Sequence, residues 1–159
     1  MTLDATIGTP TANSYATVAD ADAYLAVRGN TSAWTALDPT QKEAKLQWAA
    51  LWLDTLSFSG TRGTYTQALQ WPRVGVVDRD GYYISGLPAE LKKAQSELAF
   101  RLISEDWTQG LGSVTNETMG IGSISMGRET YRPFPATVLA LLRPFLACSP
   151  GSCGRLVRG

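Results

Sequence analysis

The sequence predicts a mainly α fold: a small helical bundle of about four helices with a β-hairpin insert, an extended strand segment and an extended C-terminal tail. Three observations predict it. Several stretches carry apolar residues at helical spacing behind recognisable caps. The segment Trp71-Pro72-Arg73-Val74-Gly75-Val76-Val77-Asp78-Arg79-Asp80-Gly81 between two of them cannot be helical, because Pro72 pushes Trp71 towards extended backbone and Asp80-Gly81 favours a tight turn. From Ser113 to Tyr131 the apolar period changes again.

Taken in order, residues 1–14 are small, polar and unperiodic and read as a flexible N-terminal arm. Thr17 with Asp20 forms a capping box, Val18, Ala21 and Leu25 share a face, and Gly29 stops this first helix. Asp38 and Pro39 open the second, in which Leu46, Ala49, Ala50, Leu53 and Leu56 keep helical spacing to about Ser57. Trp48 and Trp52 form a further stripe on it, which core packing or a neighbouring subunit would bury.

A hairpin spans residues 71–86. Pro88 starts a third helix with Leu91, Ala94, Leu98 and Leu102 on one stripe and Phe100, Ile103 and Trp107 on another, ending near Gly110. In the strand segment 113–131, Val114, Ile121, Ile124 and Met126 are separated by glycine and polar residues, as in one or two exposed strands. Pro135 begins a last helix through about Ala147, interrupted near its end by Arg143-Pro144. One domain, residues 15–147, is thus expected between the arm and a tail of residues 148–159.

The 159 residues carry 14 basic and 14 acidic side chains, so net charge draws neither nucleic acid nor anionic membrane. The distribution is uneven: residues 1–110 hold nine Lys or Arg against twelve Asp or Glu, and residues 111–159 hold five against two. From Thr130 onward there is no acid, while Arg132, Arg143, Arg155 and Arg158 remain. Such a tail meets a partner or is simply solvated.

No apolar run approaches the length of a membrane span, the start lacks the pattern of a signal peptide, and a reducing cytoplasm is the expected site of synthesis. Cys148 and Cys153, with no histidine anywhere, cannot complete a four-ligand zinc site, and free thiols are expected.

The absence of histidine also removes the usual general base and the Ser-His-Asp and Cys-His arrangements. Lys42, Lys45, Lys92 and Lys93 fall on expected solvent faces, and the carboxylate pairs Asp20 with Asp22 and Glu105 with Asp106 read as helix caps or solvated faces. No enzyme, cofactor or metal is predicted. Asp78-Arg79-Asp80-Gly81 imitates part of a calcium loop, but Val76 and Leu87 would fall at its first and twelfth positions. Gly122 to Glu129 imitates a phosphate loop, yet prolines follow where its helix should be. The aromatic content admits a single-stranded DNA-binding module as an alternative, although Trp48, Trp52, Phe100 and Trp107 lie on apolar helix faces without interleaved arginine.

Asn13-Ser14-Tyr15-Ala16-Thr17-Val18-Ala19-Asp20-Ala21-Asp22-Ala23-Tyr24-Leu25, then Gln67-Ala68-Leu69-Gln70-Trp71-Pro72-Arg73 with Asp78 to Gly81, then Ile121 to Tyr131, occur in an order that resembles the head-to-tail adaptor proteins of tailed-bacteriophage necks. These head-completion proteins also go under the label DnaT-like single-stranded DNA-binding protein. The resemblance implies a subunit of a dodecameric ring beneath the phage portal protein, which extends the channel for double-stranded DNA without gripping it and docks the tail or a stopper protein. It implies no reaction and no membrane contact, and places the protein in the virion neck after assembly in the host cytoplasm. It offers Trp71, Pro72, Arg73, Asp78, Arg79, Ile121, Ile124, Met126 and Tyr131 as subunit-contact residues, and Arg155, Leu156, Val157 and Arg158 as portal-contact residues.

Overall fold

The computed structural model describes residues 2–78, 80–105, 113–121, 124–132 and 134–147, the stretches 113–121 and 124–132 by their backbone alone. Arg79, Trp107, Cys148, Cys153 and Arg155 to Arg158 lie outside the described residues, as do the side chains of Ile121, Ile124, Met126 and Tyr131.

The fold is mainly α. Helix α1 (Val18–Arg28) begins in the expected capping box: the Thr17 hydroxyl accepts from Asp20 N at 3.1 Å, while the Asp20 carboxylate accepts from Thr17 N at 3.0 Å. Gly29, at φ +74°, ends it by donating to the Leu25 carbonyl. A single turn, α2 (Ser32–Thr35), follows and swings Trp34 into the core, where its indole N–H donates to Asp22 Oδ1 at 2.6 Å. Four residues are too few to show periodicity, so the sequence gives no sign of it.

Helix α3 (Pro39–Leu53) is capped by Asp38 and Gln41 and buries Leu46, Ala49, Ala50 and Leu53. It ends before the expected Ser57, because the chain tightens into bonds from Thr55 N to Trp52 O and Leu56 N to Leu53 O. Trp48 and Trp52 meet edge to face at 6.1 Å and are half-buried against the core.

Helix α4 (Ala89–Arg101) lies against α1, α3 and α5 (Ala136–Leu142). Its regular turns stop at Arg101 rather than near Gly110, and just past that end Lys45 Nζ donates to the Leu102 carbonyl at 2.7 Å. The last helix also stops early: after Leu142 the chain turns, and Leu146 pairs with Phe58 instead of continuing a helix to Ala147. Pro144 has no N–H to extend the ladder.

Residues 2–14, expected as an arm, fold back onto this body. Asn13 N and Ser14 N both donate to the Asp4 carbonyl, Asp4 N donates to Asn13 Oδ1 at 2.8 Å, and Leu3 packs against the core. The small polar residues that suggested an arm satisfy one another's hydrogen bonds in a closed loop. Behind it sits Gln95, fully buried on α4. Its Oε1 accepts from Tyr15 N and Ala16 N, and its Nε2 donates to Ser14 Oγ and the Leu46 carbonyl, so all of its bonding capacity ties the N-terminal segment to two helices.

Among the described residues there are also two small antiparallel sheets. β1 (Thr61–Arg62) pairs with β2 (Arg73–Val74), and β3 (Ser113–Ile121) pairs with β4 (Ile124–Arg132) through nine residues in continuous register, from Ser113 opposite Arg132 to Ile121 opposite Ile124.

Candidate functional site

Trp71 to Gly81 is where the sequence is most distinctive, and its first part points inward. Trp71 is 2% exposed, with its ring edge-on to Phe58 at 5.9 Å and to Phe145 at 5.8 Å, and the peptide bond to Pro72 is cis. Its placement as a subunit contact is therefore corrected: the indole fills the subunit's own core. The same correction applies to Arg73. Its Nε donates to the Ser59 carbonyl at 2.7 Å, Nη1 to the carbonyl and side-chain oxygens of Gln70, and Nη2 to the Phe58 and Gly60 carbonyls. The guanidinium gathers main-chain oxygens of the 58–60 turn and leaves little of its fork for an external partner. Burial pulls its pKa down.

Pro72 is half-buried and its carbonyl accepts from Gly63 N at 2.8 Å and from the buried Gln67 Nε2 at 3.1 Å. Gln67 Oε1 takes Thr64 N, so this one side chain holds the 63–70 loop shut. Gln70 N in turn donates to Tyr15 Oη and to Asp54 Oδ2, while the Tyr15 hydroxyl donates to Asp54 Oδ1. Burial pushes both acids up: Asp54 stands above the usual carboxylate range despite these bonds, and Tyr15 is raised by burial and then by the Asp54 charge.

Beyond Arg73 the segment turns outward. Val77 pairs with Tyr83, Ile84 N donates to the Val76 carbonyl and Asp78 N to the Tyr82 carbonyl, making a short hairpin within the expected 71–86. Its turn is organised by Asp78, whose Oδ1 accepts from Asp80 N and Tyr82 N, each at 2.9 Å, and by Gly81 at φ +89°. Asp78 thus has an internal structural role. Among the described residues no group of three or more His, Cys, Asp or Glu could hold a metal ion.

What this hairpin and the neighbouring 63–70 loop present to solvent is aromatic and aliphatic. Tyr65 is 99% exposed, Tyr82 73% and Tyr83 81%, and Val74 and Val77 are exposed as well. A cleft of about 620 Å³ runs between Pro72, Val74, Tyr83 and Ile84. Sequence reasoning missed these tyrosines; the available signal was three of them among Gly, Ser and Thr, outside any apolar period. Among the described residues near them, Arg62 donates to the Gln67 carbonyl and Arg73 is committed to the 58–60 turn; Arg79 of the same hairpin lies outside the described residues. By sequence the tip carries Asp78 and Asp80 with Arg79 between them. The surface is suited to apolar contact more than to a phosphate backbone.

The second candidate is β3–β4. Among the described residues its sheet has two strands only, so each strand keeps one unpaired edge over about 30 Å at ~3.4 Å per residue. Register places Ile121 opposite Ile124, Met119 opposite Met126 and Val114 opposite Tyr131. The structure does not bring this hairpin together with the Trp71 segment in one sheet.

Over residues 1–159 the chain matches the family described as "Putative DnaT-like ssDNA binding protein". No curated protein and no solved structure matches it.

Proposed function

The chain belongs to the DnaT-like family just named, and from that premise we propose that it is a non-catalytic assembly subunit, a phage head-to-tail adaptor that forms a ring under the portal protein and docks the tail or stopper protein. The observation that carries this reading is the β3–β4 hairpin, whose outer edges are unpaired among the described residues. A two-stranded ribbon is marginal alone in water and gains most from a third strand or a covering face. A neighbouring subunit in a ring supplies either, by strand addition or by apolar packing. The exposed Tyr65, Tyr82 and Tyr83 side chains support the same role, because they offer aromatic contact area. The virion neck would be its location and double-stranded DNA its cargo rather than its ligand.

A second reading, single-stranded DNA binding, is favoured by the family description and by the same tyrosines acting as stacking platforms. Two measurements on the full chain decide between them. Mass photometry with a candidate portal ring should show a discrete higher-mass complex, and fluorescence anisotropy with short single strands should show no salt-sensitive binding. Tight binding of single strands that weakens steeply with salt, with no portal complex, would overturn the adaptor reading.

A further inference from the structure

A groove of about 500 Å³ lies between the tip of the 76–84 hairpin, the start of α4 and the end of α5. Its floor is apolar, with Ile84, Leu141 and Phe145, and its rim carries Asp78, Asp80 and Glu90. Of these acids, Asp78 is bound within its own turn, and neither Asp80 nor Glu90 takes part in an ion pair among the described residues. An apolar floor under acidic edges fits an extended segment that alternates cations with aliphatic side chains. The sequence contains one: Arg155-Leu156-Val157-Arg158, in a stretch that has no acid after Glu129.

We propose that this groove is the docking site of the chain's own segment Gly154 to Arg158, with Leu156 and Val157 on the floor and Arg155 and Arg158 at the acidic rim. Chain length permits it. Phe145 lines the groove, and Ser149-Pro150-Gly151 supplies breakers for a reversal. Four residues out to Gly151 and four back return Arg155 to the level of Ala147, well inside the reach of about 3.3 Å per residue. A tether this short gives an effective concentration in the millimolar range, so the chain's own segment outcompetes that of another copy in dilute solution. The inference does not depend on the adaptor reading; it concerns where the segment rests before any partner arrives.

The test is paramagnetic line broadening on the full chain, with Cys148→Ser and a nitroxide on Cys153. Amide signals of Ile84, Ala140 and Leu141 should lose intensity relative to the reduced label. The loss should disappear in Asp80→Lys/Glu90→Lys and return when Arg155→Glu/Arg158→Glu is added to it. Raising salt on the unsubstituted rim should also restore the signals, which keeps the test intact if the rim variant folds poorly. No broadening at these amides would overturn the proposal, as would broadening that ignores both charge reversal and salt. A sample mixing isotope-labelled chain without nitroxide and unlabelled chain with it should stay sharp; broadening there would place a second copy's segment in the groove and overturn it equally.

Discussion

Arg73 Nε donates to the Ser59 carbonyl at 2.7 Å, and its Nη2 donates at the same distance to the Gly60 carbonyl one residue on. A planar fork spans two successive carbonyls, and the cation substitutes for backbone partners that the 58–60 turn cannot find in the β1–β2 ladder. Arg73→Lys should lose about 2 kcal/mol, since one ammonium cannot reach all of these oxygens and bonds to a charged group contribute 1.5–3 kcal/mol each. Urea denaturation measures it. A variant as stable as the parent would show that the turn finds those bonds elsewhere.

Trp71→Ala removes a ring that touches Phe58 and Phe145 edge-on and sits almost wholly inside the subunit. A loss of 3–5 kcal/mol is expected for an aromatic truncated in a packed core, with a lowered thermal midpoint. Unchanged stability with failed assembly would return Trp71 to the surface role the sequence assigned it.

The helix starts were legible in the sequence because capping is local: Thr17 with Asp20, and Asp38 with Pro39 and Gln41, lie within four residues of their partners. Gln95 and Arg73 were not legible as tethers. Gln95 meets its partners about 80 positions away in residues 14–16 and at Leu46, and no periodicity marks a polar residue that completes a core. Arg73 is offered by the sequence as a subunit contact because an arginine in an extended, proline-containing segment looks the same whether it meets a partner or its own turn. Helix ends were over-extended for a related reason: apolar spacing continues through Leu56 and Ile103, which still pack on the core after the helical bonds have stopped. For Lys42, Lys45 and Lys92, polarity predicted a solvent face, whereas their long stems carry the ammonium groups to Asp22, the Leu102 carbonyl and Asp20 on other elements.

Gly60 has φ +71°, and a Cβ there would stand 2.4 Å from the Val74 carbonyl oxygen and 2.8 Å from Val76 Cγ2. Gly60→Ala therefore combines a disfavoured backbone region with a clash against main chain that cannot rotate away, and should destabilise by more than 2 kcal/mol. Gly86 has a similar φ of +76° but nothing within 4 Å of the added atom. Gly86→Ala should lose only the backbone term, about 1–2 kcal/mol. Equal thermal shifts for the two variants would refute the close approach of β2 to Gly60.

Asp54 gives a pH dependence whose sign follows from its burial. Its folded pKa lies above the ordinary carboxylate value, chiefly through burial, so the native state holds its proton more tightly than the unfolded chain does. That contribution is fully present below the ordinary value and is lost as pH rises through the raised one. Asp54→Asn removes the titration while keeping an oxygen for the Tyr15 hydroxyl. Stability of the variant relative to the parent should therefore improve as pH climbs from acid towards neutral, then level off. A relative stability that declines over this range would mean the carboxylate is favoured as the anion in the fold.

Tyr82 and Tyr83 separate folding from assembly. Both rings stand in solvent, and the turn beneath them uses only the main chain of Tyr82, its N–H donating to Asp78 Oδ1 and its carbonyl accepting from Asp78 N, which a substitution leaves in place. Tyr82→Ser with Tyr83→Ser should therefore change the unfolding free energy by no more than about 0.5 kcal/mol. If the rings are contact area for a neighbouring subunit, the same variant should weaken assembly on a portal ring by tenfold or more, because exposed aromatics are the residues that dominate protein interfaces. If they are stacking platforms, assembly should be untouched and single-strand affinity should fall by about 1–3 kcal/mol per ring. The two losses are read in separate titrations, so one variant tells which chemistry the hairpin serves, and loss of neither would leave both readings without their surface.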